Sequence, residues 1–169
     1  MEEVQLNDVS RIYAELGRPL YLFALRLTGN THEAEDLVQE TFLLAFRNLD
    51  SFKGESSLKT WLFSIAINKH RDQLRKSRRY FADAGENNEA IPCPRPGPDD
   101  SFEQQEKAQR IRRALKSLPE QYRTALMLVR FEEMTYKEAG ETLGTTLETV
   151  RMRVHRAHRM LADLLKEYR

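Results

Sequence analysis

The sequence predicts an all-α chain of two small helical domains joined by a flexible, acidic, proline-rich linker, with a helix-turn-helix in the C-terminal domain. Two observations carry that prediction. Nearly every patterned segment repeats its apolar residues at spacings of three and four, and no segment alternates around Asn-Gly or Asp-Gly turns. One stretch, Ala82 to Ser101, breaks the pattern with Gly85, Pro92, Pro94, Pro96, Gly97 and Pro98 among acids and asparagines. Such a composition buries too little apolar surface to fold and favours extended backbone. It divides the 169 residues into a unit over 1–81, a linker over 82–101 and a unit over 102–169, each with three or four helices around its own core.

In the first unit a helix is expected over Glu33 to Leu49, with Val38, Phe42, Ala45 and Leu49 on its core face. Its other side carries Asp36, Gln39, Glu40, Leu43 and Arg47. Carboxylates near a helix start are favoured by the dipole, so this face is either ordinary helix design or a binding surface. A polar loop, Phe52 to Thr60 with Gly54, leads to a helix over Trp61 to Arg79. There Trp61, Ile65 and Leu74 are expected inside, with Asn68, Lys69, Arg71, Arg75, Arg78 and Arg79 outside. Aromatic rings beside cations suit single-stranded nucleic acid, because bases stack and phosphates pair. Trp61 is in phase with Ile65, which favours a core role for that ring.

In the second unit, Thr135 to Leu165 reads as a helix, a Leu-Gly-Thr-Thr turn and an arginine-rich helix. Gly144 suits the left-handed residue that ends the first helix, and Gly140, four positions earlier, allows two helices to cross closely. Thr145 with Glu148 is expected to form a capping box, and Thr146 is the neighbouring cap candidate. A helix start of this kind can receive a phosphate. Val150, Val154, Ala157, Leu161 and Leu164 form the buried stripe of the second helix. The opposite side carries Arg151, Met152, His155 and Arg159, flanked by Arg153 and Arg156. An isolated arginine-rich helix is usually a solvated face; the turn and the core stripe together point instead to DNA reading, by Arg forked onto guanine or clamped on phosphate.

No apolar run approaches the roughly 18 residues of a membrane span, and no secretory signal is visible, which together predict a soluble, cytoplasmic protein without membrane insertion. The single cysteine, Cys93, cannot form an intramolecular disulfide. The net charge of +1 conceals segregation: Lys69 to Arg79 holds six bases against one acid, and Arg151 to Arg169 six against two. Between them, Asp83 to Glu106 holds seven acids and one base. Two cationic stretches imply two places where nucleic acid is touched. Catalysis fits poorly. His32 with Glu35 and Asp36, or His155 with His158, could contribute ligands, but a zinc site needs three or four that converge, and no phosphate loop or nucleophile elbow is present. The expectation is a non-enzyme with no cofactor and no metal.

Four stretches together resemble the extracytoplasmic-function (ECF) sigma factors, the short two-domain class of the sigma-70 family of bacterial promoter-recognition subunits. They are LYLFALRLTGN from Leu20's neighbourhood, EAEDLVQETFLLAFRNLDSFKG from Glu33, TWLFSIAINKHRDQLRKSRR from Thr60, and SLPEQYRTALML with TYKEAGETLGTTLETVRMRVHRAHRML. They occur in the family's order and leave out only the linker and the extreme ends. The resemblance implies that Asp36, Gln39, Glu40 and Leu43 dock on the clamp coiled coil of the largest core RNA polymerase subunit, with a further contact at the flap. It implies that Phe52, Gly54, Ser56, Ser57, Leu58 and Lys59 form a loop capturing a base flipped from the minus-10 element. Trp61, Asn68, Lys69, Arg71, Arg75, Arg78 and Arg79 would hold the melted strand. A site that binds only the opened strand turns binding energy into melting.

By the same resemblance the C-terminal helix-turn-helix reads the minus-35 element as duplex. Thr145, Thr146, Leu147, Glu148, Arg151, Met152, His155 and Arg159 would line that interface, with Arg153 and Arg156 nearer phosphates. Two departures stand out: Gly140 occupies a position where the family more often has alanine, and Leu58 and Lys59 fall in a loop that varies, so the flipped base cannot be named. The linker would run toward the polymerase active site, its acids imitating nucleic acid. Many members of the family are held inactive by an anti-sigma factor wedged between the domains, a geometry that a flexible linker permits. The competing reading is a transcription regulator that binds its operator as a dimer without polymerase.

Overall fold

The computed structural model describes residues 2–83 and 102–166; the side chains of 2–9, 78–83, 102–105, 107, 108 and 112 lie outside this description. Every regular element among the described residues is helical. The chain forms two compact units, one built from the first three α-helices and the other from the last four. Residues 84–101, which include most of the expected linker and Cys93, lie outside the described residues.

The first unit comprises α1 (Glu2–Thr28), α2 (Thr31–Arg47) and α3 (Leu58–Asp83). Gly29, at φ 71°, turns the chain between α1 and α2, and its N–H closes on the Leu25 carbonyl at 2.8 Å. Asn30 then caps α2, its side-chain oxygen accepting from the N–H groups of His32 and Glu33. The helix ends at Arg47, so Leu49, expected on its core face, lies instead in a 3-10 turn (Leu49–Ser51) and is only half-buried. The core joins Leu20 and Phe23 of α1, Leu37 and Phe42 of α2, and Leu62, Phe63 and Ile67 of α3. The Phe23 and Phe63 rings meet at 5.0 Å, and a side chain of this size contributes about 1.5–3 kcal/mol when fully buried.

The phase of α3 differs from the expected one. Its buried stripe is Leu62, Phe63, Ala66, Ile67 and His70, whereas Trp61, Ile65 and Leu74 are half-buried on the flank. The helix also starts three residues earlier than expected, at Leu58, because the Ser57 hydroxyl accepts from the Thr60 N–H at 3.0 Å and caps the first turn.

The second unit comprises α4 (Phe102–Ser117), α5 (Glu120–Arg130), α6 (Tyr136–Leu143) and α7 (Leu147–Lys166). Helix α7 packs against each of the other three, with Val150, Val154 and Ala157 buried. Leu161 and Leu164 continue the stripe half-buried. Between α5 and α6, Glu133 adopts φ 56°, a left-handed conformation that costs a non-glycine residue about 1–2 kcal/mol.

The capping box lies at the other end of the motif from where it was expected. Thr135 and Glu138 form it at the start of α6, hydroxyl to N–H at 3.2 Å and carboxylate to N–H at 2.8 Å. At α7 no box joins Thr145 to Glu148. The Thr145 N–H is committed to the Gly140 carbonyl at 2.9 Å, and Gly144, at φ 62°, sends its own to Glu141, together closing the end of α6. Thr146 therefore caps α7, accepting from the Thr149 N–H at 3.2 Å.

Candidate nucleic-acid interface

The joint between α6 and α7 fixes where the arginine-rich side points. A Cβ on Gly140 would lie 2.9 Å from the Thr145 carbonyl oxygen, closer than real contacts, so in this chain the backbones meet where a side chain would force one of them to move. Gly140 thus permits this joint at its present spacing. With the joint fixed, Arg151, Met152, His155, Arg156 and Arg159 are exposed beside Thr146 and Glu148. Thr145, Leu147 and Arg153 are half-buried. One unit therefore brings together all ten residues expected for duplex reading.

Two tyrosines absent from the expected set hold two of these arginines. The Arg151 guanidinium lies over the Tyr136 ring, 5.8 Å from its centroid, and Arg156 Nη1 donates to the Tyr122 hydroxyl oxygen at 3.3 Å. Nearby, His158 is pushed below the ordinary imidazole range, first by burial and then by repulsion from Arg130 and His155. It is therefore predominantly neutral at pH 7.

The first unit presents two further groups. On α2, Asp36, Gln39 and Leu43 are exposed, Leu43 to 56%, while Glu40 is half-buried. An exposed leucine with Asp36 and Glu40 on the same helix face is chemistry for a protein partner with an apolar and basic surface. On the loop and the start of α3, the Phe52 and Trp61 rings meet at 5.0 Å, Gly54 turns the chain at φ 69°, and Ser57 shares a hydrogen bond with the Thr60 hydroxyl at 2.8 Å. Lys59 reaches over the Phe63 ring at 5.6 Å, and Ser56 and Leu58 are half-buried. Trp61 is therefore neither core nor free platform; one side of its ring is taken by Phe52.

Farther along α3, Asn68 and Arg75 are exposed and Arg71 is half-buried, on one side of the helix. Arg75 pairs with Asp72. Lys69 does not join that side: its Nζ lies 2.9 Å from the Glu40 carboxylate. The pair thus ties the expected polymerase face on α2 to the expected strand-binding helix. Of Arg78 and Arg79, only the helical backbone falls among the described residues.

Residues 12–80 match sigma-70 region 2, and residues 108–161 match sigma-70 region 4. The ECF sigma factor EcfG of Rhodopseudomonas palustris is 40% identical over 146 residues, 86% of this chain and 78% of that protein. The chain belongs to the ECF sigma factors. It is similarly related to SigW of Bacillus subtilis, at 33% identity over 95% of this chain and 88% of the relative. SigE of Mycolicibacterium smegmatis is 36% identical over 88% of this chain, which spans 58% of that longer relative. Among solved structures, the sigma factor RpoE of Bartonella quintana, in complex with the anti-sigma factor NepR, superposes with a TM-score of 0.82. It is 32% identical, with 96% of this chain and 99% of that one covered.

As an ECF sigma factor the chain acts in transcription initiation with core RNA polymerase and promoter DNA. It is a DNA-binding regulator. Among its described residues no helix is long and apolar enough to cross a membrane.

Proposed function

We propose a division of labour within this sigma factor. Residues 1–81 bind core polymerase through Asp36, Gln39, Glu40 and Leu43, and open the minus-10 element with the loop from Phe52 to Lys59 and the cations of α3. Residues 102–169 read the minus-35 element as duplex through the exposed side of α7. The observation that carries this reading is the separation of chemistries. An exposed leucine with two carboxylates on its helix face and a ring-and-cation surface share one unit, and a solvent-facing arginine row occupies the other. A protein face, a stacking surface and a groove-reading helix are three different recognitions, and initiation needs all three.

The chain carries no catalytic group in this reading; it positions an enzyme supplied by the polymerase. It works in the bacterial cytoplasm. The complex of its RpoE relative with NepR supports a further element, restraint of this chain by an anti-sigma factor.

Reconstitution tests the proposal. The purified chain mixed with bacterial core polymerase should start transcripts from genomic fragments at defined positions, and sequences upstream of those starts should share two spaced elements. A chain that neither enters the holoenzyme nor directs initiation ends the proposal. One that binds a duplex operator alone as a dimer replaces it with the regulator reading.

A further inference from the structure

An arginine on an exposed helix samples many rotamers, and binding must freeze one of them. Two arginines of α7 are already held, by side chains from two other helices. Tyr136 is the first residue of α6, directly after the Thr135–Glu138 capping box, and α6 is locked to α7 at Gly140. Tyr122 lies in the first turn of α5, its N–H bonded to the Pro119 carbonyl at 3.0 Å. Both tyrosines are half-buried, each anchored on a helix other than α7.

We infer that Tyr136 and Tyr122 are positioning residues for DNA recognition, Tyr136 orienting Arg151 toward a base edge and Tyr122 orienting Arg156 toward a phosphate. The inference rests on the proposed reading of α7 as the minus-35 helix. The two supports work by different chemistry. A ring face attracts the guanidinium through its quadrupole and uses none of its five N–H donors, so Arg151 keeps its full fork for guanine. A phenol oxygen takes one donor and leaves four, enough for a phosphate. The difference predicts opposite tolerances. Phenylalanine at 136 keeps the face and should be accepted, whereas phenylalanine at 122 removes the acceptor and should not.

The test uses full-length chain in holoenzyme with bacterial core polymerase, on a promoter duplex selected by the wild-type holoenzyme from a pool randomised at the upstream element. The readout is the affinity ratio between the selected upstream element and a scrambled one. Freezing one long side chain corresponds to about a two- to tenfold effect. Tyr136→Leu should lower the ratio by that factor, Tyr136→Phe should keep it, and Tyr136→Leu should add nothing in an Arg151→Ala background. Tyr122→Phe should weaken binding to both duplexes alike, by about two- to fivefold, and add nothing in an Arg156→Ala background. Wild-type discrimination in Tyr136→Leu while Arg151→Ala is impaired overturns the role of Tyr136 alone. An equal loss from Tyr136→Leu with and without Arg151 also overturns it, since the tyrosine then acts independently. If Arg151→Ala itself discriminates normally, the base-reading assignment falls and the role of Tyr136 with it. Unchanged binding in Tyr122→Phe overturns the role of Tyr122. Matched thermal midpoints separate these effects from unfolding, and the phenylalanine variants, each lacking one hydroxyl, are the ones expected to fold whatever the leucine variant does.

Discussion

Helices α3 and α7 are both basic and both proposed to meet DNA, yet the middle of α3 pairs two cations with acids whereas two arginines of α7 rest on tyrosines. Each helix also has a cation of the other kind, Lys59 over the Phe63 ring on α3 and Lys166 beside Asp163 on α7. On α3, Lys69 is paired with Glu40 of the neighbouring helix and Arg75 with Asp72 of its own. On α7, Arg151 and Arg156 are supported by neutral tyrosines, which orient a guanidinium without cancelling its charge. The contrast shows that counting basic residues measures little; what a cation is tied to decides whether it meets DNA charged and aimed or already neutralised. A duplex reader benefits from arginines set in advance. On the proposed strand-holding role of α3, its paired cations attract nucleic acid less until those acids are drawn elsewhere.

The largest expected effect would break the assignment of acids to a protein partner. Reversing Asp36 and Glu40 together to lysine should weaken competition for core polymerase by about 2–5 kcal/mol, the range for disrupted interfacial charge pairs. Upstream-element discrimination by whatever holoenzyme still forms should stay at the wild-type value; loss of both would mean that α2 and α7 do not serve separate recognitions. Arg151→Ala should reduce that discrimination by about 1–3 kcal/mol if the side chain is bidentate on a base. Equal loss on all sequences, measured by the same competition, would make Arg151 a phosphate contact and erase its difference from the cations of α3.

Gly140→Ala sharpens the comparison on the structural side. Alanine gains up to about 1 kcal/mol in helix propensity, but its methyl would sit 2.9 Å from the Thr145 oxygen, and such crowding typically costs about 1–3 kcal/mol. The net change should be destabilising, read as a lower thermal midpoint. A stabilised variant would show that the joint yields easily. Relief of the left-handed backbone by Glu133→Gly should raise stability by up to about 1 kcal/mol, part of the gain being offset by the greater freedom of glycine in the unfolded chain.

The smallest expected effect concerns pH. His158 takes up protons less readily folded than unfolded, so the unfolded state binds more of them as pH falls through the ordinary histidine range, near 6.5. Stability should therefore decline slightly between about pH 7 and pH 5.5, and His158→Gln should flatten that decline in denaturant titrations at each pH. An unaltered slope would show that neither desolvation nor the charges of Arg130 and His155 burden this imidazole.

The helices were legible because period-3.6 burial leaves a strong mark, and the turn at Gly144 because few residues accept positive φ. The phase of α3 was not. Trp61 and Ile65 satisfy the same four-residue spacing as the true stripe of Leu62, Phe63, Ala66 and Ile67, and that stripe continues into a polar residue, His70, which disguises it. The capping box was legible in kind but misplaced, because Thr135–Glu138 and Thr145–Glu148 are the same pattern four letters long. Only the three-dimensional turn, which commits the Thr145 N–H to Gly140, tells them apart. Lys69–Glu40 and the two tyrosine supports join residues from different helices, so their pairing depends on how the helices pack and leaves no local signature.

The glycine joint between α6 and α7 also bears on how such a factor changes over generations. A crossing this close leaves either helix little room to shift, so the solvent side of α7 keeps its direction when residues on that side are exchanged. On the proposed reading of α7, new promoter preferences would then arise through exchanges at Arg151, Met152 or His155, each tried on an unaltered frame. The close contact on the buried side of the motif is what leaves its exposed side free to vary.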